Sequence, residues 1–211
     1  MSVNAGLPRE VEWNGRTIRT SIFKSPVAGR VPVRKLNLDG DEQSDLTVHG
    51  DKAVYVYPLE HYAFWRHELP GADLPWGVFG ENFTTEGALD DKAVHIGDRF
   101  RIGSAEFVVT QPRMPCFKLG IRFGRAEIIK RFLQSGRNGF YVAAVQEGEV
   151  GAGDSIEPLS REDNGITVAD IVKLYTADAA NRDLLHRVSE LAALPESWRA
   201  YFRKRLWKAD G

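Results

Sequence analysis

Apolar and polar side chains alternate in short runs through the first 160 residues, the two-residue period of strands that bury one face. Val31 to Leu38, Val-Pro-Val-Arg-Lys-Leu-Asn-Leu, follows this pattern, and the β-branched and aromatic run Ala53–Tyr57 predicts another strand. Glycine turns divide the runs. Asn14-Gly15 suits a two-residue type I′ turn inside a hairpin from Val11 to Ile18. Gly103-Ser104 predicts a second hairpin between Arg99–Ile102 and Glu106–Thr110, and Glu147-Gly148 a third between Phe140–Val145 and Val150–Leu159. Many short strands joined by tight turns predict a mainly β fold, a barrel or sandwich, rather than a parallel α/β sheet.

The period changes to that of helices in a few places. Pro58 to Leu69 has a proline at its start and stops at Pro70-Gly71. Ala126 to Gln134 puts Ile128, Ile129, Phe132 and Leu133 on one face and stops at Ser135-Gly136. After Ser160 the pattern is helical throughout. Arg161-Glu-Asp-Asn-Gly165 reads as a polar linker, and Thr167-Val-Ala-Asp170 as a capping box opening a helix. Leu184, Leu185, Val188, Leu191 and Leu194 form the apolar stripe of a second helix. Pro195-Glu196 opens a third, with Trp198, Tyr201, Phe202 and Leu206 turned inward. The expected organisation is a β domain over 1–160 and a three-helix extension over 161–211. The extension's apolar faces need cover from the β domain or from a second subunit, which leaves a homodimer open.

Composition narrows the function classes. Lys and Arg number 28 against 29 Asp and Glu, a net charge of −1, which excludes a protein built to coat nucleic acid. The basic run Arg199, Arg203, Lys204, Arg205 and Lys208 is either a solvated face or a docking surface for an acidic partner. The N-terminal segment lacks the pattern of a signal peptide, and no apolar run approaches the ~20 residues that span a bilayer. A cytoplasmic, membrane-free protein is expected. Cys116 is the only cysteine in the 211 residues, so an internal disulfide, a four-cysteine zinc site and a self-contained iron–sulfur cluster are all excluded. Neither a dinucleotide fingerprint nor a P-loop occurs.

Cys116 lies in Gln111-Pro-Arg-Met-Pro-Cys-Phe-Lys-Leu119, where two prolines interrupt strand pairing and Arg113 and Lys118 flank the thiol with positive charge. Nearby cations favour the thiolate, the form that attacks electrophiles and binds metals; the alternative is a small buried hydrophobe. His49, beside Gly50, is a candidate for proton transfer, metal ligation or anion contact, or a turn histidine satisfied by backbone. Glu81-Asn82, between glycines, offers polar side chains and approachable amides to an amide- or phosphate-bearing ligand, or forms a capped turn. Arg137-Asn138 within Gly136–Gly139 is a further anion-binding candidate or simply the loop after a helix.

The ordered set Gly40-Asp-Glu-Gln-Ser-Asp-Leu-Thr-Val-His-Gly50, Asp51-Lys-Ala-Val-Tyr-Val-Tyr-Pro-Leu-Glu-His-Tyr62, Gly80-Glu-Asn82, Ile96-Gly-Asp98, Gln111–Cys116 and Gly139-Phe-Tyr141 resembles the MOSC-domain proteins, specifically their YiiM-like group. The resemblance extends over almost the whole chain, including the helical trio. The family has His-Gly-Gly and one further residue before Asp-Lys-Ala, whereas here Gly50 leads directly to Asp51, two residues shorter. The resemblance implies a closed MOSC-type β-barrel holding a molybdenum–molybdopterin cofactor, with Cys116 as the molybdenum ligand. It implies no pyridoxal phosphate, NAD or iron–sulfur group in this chain. It further implies reduction of N-hydroxylated compounds such as 6-hydroxylaminopurine, with electrons from a separate flavin-containing reductase. Arg113, Lys118, Arg137, Asn138 and the Glu81-Asn82 turn are the expected cofactor contacts, with Glu81 accepting from pterin N–H groups, and His49 the expected proton donor. Two alternatives remain: a non-catalytic carrier of the cofactor or of sulfur, and a metal-independent Cys116 nucleophile with His49 as its base.

Overall fold

A computed structural model describes residues 1–41, 54–87, 89–176 and 181–208. Among the described residues twelve strands run in the order β1 (Ser2–Ala5), β2 (Arg9–Trp13), β3 (Arg16–Thr20), β4 (Ser25–Pro26), β5 (Arg30–Val33), β6 (Val54–Pro58), β7 (Phe83–Thr85), β8 (Arg99–Ile102), β9 (Ala105–Pro112), β10 (Phe140–Gln146), β11 (Gly148–Gly151) and β12 (Ile156–Ser160). The described helices are α1 (Glu60–Glu68), α2 (Phe117–Phe123), α3 (Ile128–Ser135), α4 (Val168–Thr176), α5 (Arg182–Glu190) and α6 (Glu196–Lys208).

Eight strands form one sheet in the order β12-β8-β9-β10-β6-β7-β1-β4, antiparallel except for the parallel pair β6/β7. The expected closed barrel is not formed: among the described residues the sheet keeps two edges, β12 and β4, and two ribbons, β11/β5 and β2/β3, stand apart. Both edge strands carry a proline. β4 is Ser25-Pro26 alone, and β12 shifts register between Pro158 and Ser160; a proline has no N–H to give to a further strand.

Two of the three expected hairpins form where their turns are. β2 and β3 pair around Asn14 and Gly15, whose φ values of 50° and 71° are both left-handed, as a type I′ turn needs. β8 and β9 pair around Gly103-Ser104. The third does not form. β10 pairs with β9 and β6, while β11 crosses to β5, matching Val150 with Val31, and β12 pairs with β8. The expected strand Val31–Leu38 ends at Val33, and only Leu38 returns to bridge Val33.

The C-terminal helices start as their caps require. Thr167 Oγ1 accepts from the Asp170 amide at 3.1 Å, and Asp170 Oδ2 accepts from the Thr167 amide at 3.0 Å, a reciprocal box. Asn181 Oδ1 accepts from Leu184 N at 3.0 Å at the start of α5. The segment read as a linker is bound to the body instead. Asn164 Nδ2 donates to Ile96 O at 2.7 Å, Ile96 N to Ile166 O at 3.0 Å, and Ala169 N to Asp91 O at 2.9 Å. Ile171, Leu185, Val188 and Phe202 then join Val3, Phe107 and Val109 in one continuous core. Each such burial stabilises by roughly 1.5–3 kcal/mol, so the helices gain most by packing on the sheet. The basic run on α6 is partly consumed internally: Arg199 and Arg203 pair with Glu196, and Arg205 donates to Leu174 O. No helix among the described residues is long and apolar enough to cross a membrane.

A second cluster, aromatic in character, lies across β6, α1 and α3. Trp65 stacks on Phe132 with centroids 5.7 Å apart, and Trp65 Nε1 donates to Tyr57 Oη at 2.7 Å. Two members of this cluster, Ile22 and Tyr55, also line the cavity beside Cys116.

Candidate functional site

β9 ends at Pro112, and the chain then runs extended to Cys116, which has φ −126° and ψ 176° and is the residue from which α2 begins. Pro115 cannot donate to a ladder, so sheet pairing stops and the Cys116 side chain stands in solvent. Cys116 is therefore not the small buried hydrophobe that was the alternative. A cavity opens beside it. Arg113, Lys118 and Asn82 share this cavity with Cys116, as do Thr20, Ser21 and Lys24 from the end of β3 onward, and Tyr55 and Tyr141 from the sheet.

Arg113 is buried, with its Cζ 5.4 Å from the Tyr55 ring and 5.2 Å from the Phe132 ring. Its Nη1 has no hydrogen-bond partner. Burial opposes the guanidinium charge, but Tyr55, Tyr141 and the Cys116 sulfur outweigh it and hold the pKa above its ordinary value. The cavity thus has a fixed cation with an unused donor beside an exposed thiol. Tyr141 is pushed up by burial, against the pull of Arg113, so its hydroxyl stays protonated.

The loop after α3 fixes Arg113 through its backbone. Arg113 N donates to Gly139 O at 3.1 Å, and Asn138 Nδ2 donates to Arg113 O at 3.0 Å. Tyr55 Oη in turn donates to Asn138 O at 2.7 Å. Asn138 is fully buried and outside the cavity lining, so it holds Arg113 in place, although its Oδ1 is also unpartnered. Arg137 points elsewhere: its Cζ lies 4.1 Å over the Phe64 ring, and it lines a separate cavity with His61 and Asp91.

The two residues of the Glu81-Asn82 turn divide their work. Glu81 is fully buried and accepts from Tyr62 Oη, Thr84 Oγ1 (2.9 Å), Gly77 N (2.8 Å) and Phe79 N (3.1 Å). Its carboxylate is committed to the chain's own donors and shapes the turn. Asn82 lines the cavity while its Oδ1 accepts from Tyr55 N at 3.0 Å and its Nδ2 donates to Asp41 Oδ2 at 2.7 Å. Asp41, buried, also takes an ion pair from Lys24. Lys24 is held below the ordinary lysine value by burial, an effect that Asp41 opposes. Sequence reading missed Lys24, Tyr55 and Tyr141 as cavity residues. Lys24 and Asp41 are 17 positions apart, and no local spacing links them. His49 lies outside the described residues, as does the rest of the Glu42–Ala53 segment.

A profile of the MOSC domain matches residues 42–157, and one of the YiiM-like, 3-alpha helix domain matches residues 166–209. The chain belongs to the MOSC-domain family. It is 43% identical to YflK of Bacillus subtilis over 97% of this chain and 93% of that protein. It is 36% identical to YiiM of Escherichia coli over 88% of this chain and 84% of that one. The crystal structure of YiiM from Geobacillus stearothermophilus superposes with a TM-score of 0.81 at 33% identity, covering 97% of both chains.

In this MOSC chain, among the described residues, no group of three or more His, Cys, Asp or Glu side chains converges on a point where they could hold a metal ion. The donor set around Cys116 is one soft sulfur with cations and hydroxyls. That set fits a metal brought in by an anionic ligand of its own and fastened by a single thiolate. The unpartnered Arg113 Nη1 fits an acceptor on that ligand.

Proposed function

We propose that the chain is a molybdenum-cofactor-dependent reductase of N-hydroxylated compounds, 6-hydroxylaminopurine among them, served by a separate flavin-containing reductase in a reducing, cytoplasmic setting. The observation that carries this proposal is the exposed Cys116 thiol in one cavity with a buried Arg113 whose Nη1 is unpartnered. Membership of the MOSC family supports the same cofactor.

Cys116 Sγ is the group that would bind molybdenum, and Arg113 and Lys118 would meet the anionic pterin and its phosphate. The cofactor supplies a metal able to change oxidation state by two, which the conversion of N–OH and two protons to N–H and water requires. The chain's part is positional. Arg113 is clamped from behind by Asn138 and Gly139, and the Tyr55 amide bonded to Asn82 fixes the cavity wall. Such groups need little reorganisation when charge develops against them. His49 is the proposed proton donor.

The test is consumption of 6-hydroxylaminopurine by molybdenum-loaded protein with a supplied flavin reductase and NADH. Turnover in wild type and a loss of about 10³-fold or more in Cys116→Ala are expected, since removal of a metal's protein ligand removes the reacting centre. Full metal loading with no turnover would favour the carrier reading instead.

A further inference from the structure

A β-bulge sits where β10 passes the Cys116 cavity. Tyr141 pairs with Gln111 of β9 and Val142 with Val109, so Thr110 is the extra residue between them. An extra residue of this kind re-aims neighbouring side chains, and bulges gather beside active sites for that reason. This one is fastened, with Thr110 Oγ1 donating to Tyr141 O at 3.2 Å. Phe140 turns into the main core, and Tyr141 turns to the opposite face of the sheet. There its ring lies 5.5 Å from that of Tyr55, and its side chain stays part-exposed in the cavity that contains Cys116. Phe140 pairs with Pro112, so the register puts Tyr141 and Arg113 at the same end of the same strand pair. Arg113 and Cys116 both act electrostatically on the Tyr141 hydroxyl.

Conversion of N–OH to N–H consumes two protons, and a cavity that performs it needs a side chain with a proton to give. The other groups lining this cavity are engaged or unsuited. Tyr55 Oη donates to Asn138 O at 2.7 Å, and Lys24 is in an ion pair with Asp41. Arg113 keeps its protons, and the aliphatic hydroxyls of Thr20 and Ser21 are far weaker acids than a phenol. Lys118 already has an interaction of its own, and Cys116 is the thiol assigned to the metal. The buried tyrosines of the neighbouring cluster are committed too, Tyr57 to Arg137 O and Tyr62 to Glu81. The Tyr141 hydroxyl differs from them: it donates to no acceptor among the described residues.

We infer that Tyr141 is a catalytic acid of this cavity, its hydroxyl donating to the oxygen of the substrate's N–OH group and giving up its proton as the N–O bond breaks. This rests on the proposed reductase function and names the group that recognises and protonates its substrate. The two electrons that cleave the N–O bond originate in the flavin-containing reductase. The Tyr141 proton turns the departing hydroxyl into water, and a second proton, for which His49 is the proposed source, completes the N–H. The phenolate left behind is stabilised by the Arg113 charge until solvent returns the proton.

The experiment pairs binding with turnover in molybdenum-loaded wild type and Tyr141→Phe. Isothermal titration without an electron donor compares 6-hydroxylaminopurine with adenine, which lacks only the hydroxyl. Wild type is expected to bind 6-hydroxylaminopurine about fivefold more tightly than adenine, the scale of one hydrogen bond. Tyr141→Phe should lose most of that preference with adenine affinity unchanged. With flavin reductase and NADH supplied, it should lose about 10²-fold or more in kcat at unchanged molybdenum content. Equal affinities in wild type, or a preference or rate left at the wild-type value in Tyr141→Phe, would overturn the assignment. Loss of molybdenum from Tyr141→Phe would place the hydroxyl on the cofactor and overturn it as well. A loaded wild type that prefers 6-hydroxylaminopurine through Tyr141 yet turns none over would contradict the reductase function and leave the contact standing.

Discussion

Glu81 accepts hydrogen bonds from Tyr62, Thr84 and two backbone amides without reaching the cavity. From sequence it is a ligand candidate; in the fold it is the fastening of the turn that carries Asn82. Burial raises its pKa above the ordinary 4.5, against the pull of its hydrogen bonds, chiefly that of Tyr62. A carboxyl whose folded pKa is raised stabilises the fold fully below its unfolded pKa, and that contribution is lost as pH rises through the folded value. The stability advantage of wild type over Glu81→Gln should therefore be larger near pH 5 than near pH 7.5, by about 1 kcal/mol per unit of raised pKa. Urea midpoints at the two pH values measure this, and an advantage that grows with pH would contradict the assignment. What sequence showed at this scale was chemical type: a thiol among cations, a carboxylate and an amide between glycines. It could not show which partner each group takes. Glu81 takes donors 2 to 19 positions away, and Lys24 finds Asp41 across 17.

Elements were legible where their contacts are local. Asn14-Gly15 and Gly103-Ser104 close hairpins because the turn residues and the paired strands are neighbours in the chain. Glu147-Gly148 has the same look, yet β11 leaves β10 for β5, more than a hundred residues earlier, a choice made by tertiary packing. Helix α2 was missed because it is seven residues long, contains Gly120 and has no side-chain cap at Cys116. The loop between α3 and β10 is the element on which the site depends most. Gly139 has φ 62°, and a Cβ there would lie 2.4 Å from Val56 O, with the Tyr55 and Tyr57 rings 2.9 Å away. Gly139→Ala must therefore push the loop off β6 and with it the carbonyl that holds the Arg113 amide. A cost of about 2 kcal/mol or more is expected from the backbone strain and the clash together, read as a fall in the denaturation midpoint. A Gly139→Ala protein as stable as wild type would show that the loop is not tightly seated.

For the whole molecule, the mainly β body and the trailing helices were visible in the change of period near Ser160, whereas the closed barrel was not realised. Both edge strands carry a proline, and the helices share one core with the sheet, features that depend on distant contacts. The architecture leaves one exposed thiol in a cationic cavity, and the central claim is that this thiol fastens molybdenum. The most direct measurement is the molybdenum content per chain, by mass spectrometry, of wild type and Cys116→Ala purified from a host that makes the cofactor. The account predicts near-stoichiometric metal in wild type and little in the variant at unchanged thermal stability. Metal-free wild type, or equal metal in both proteins, would contradict it.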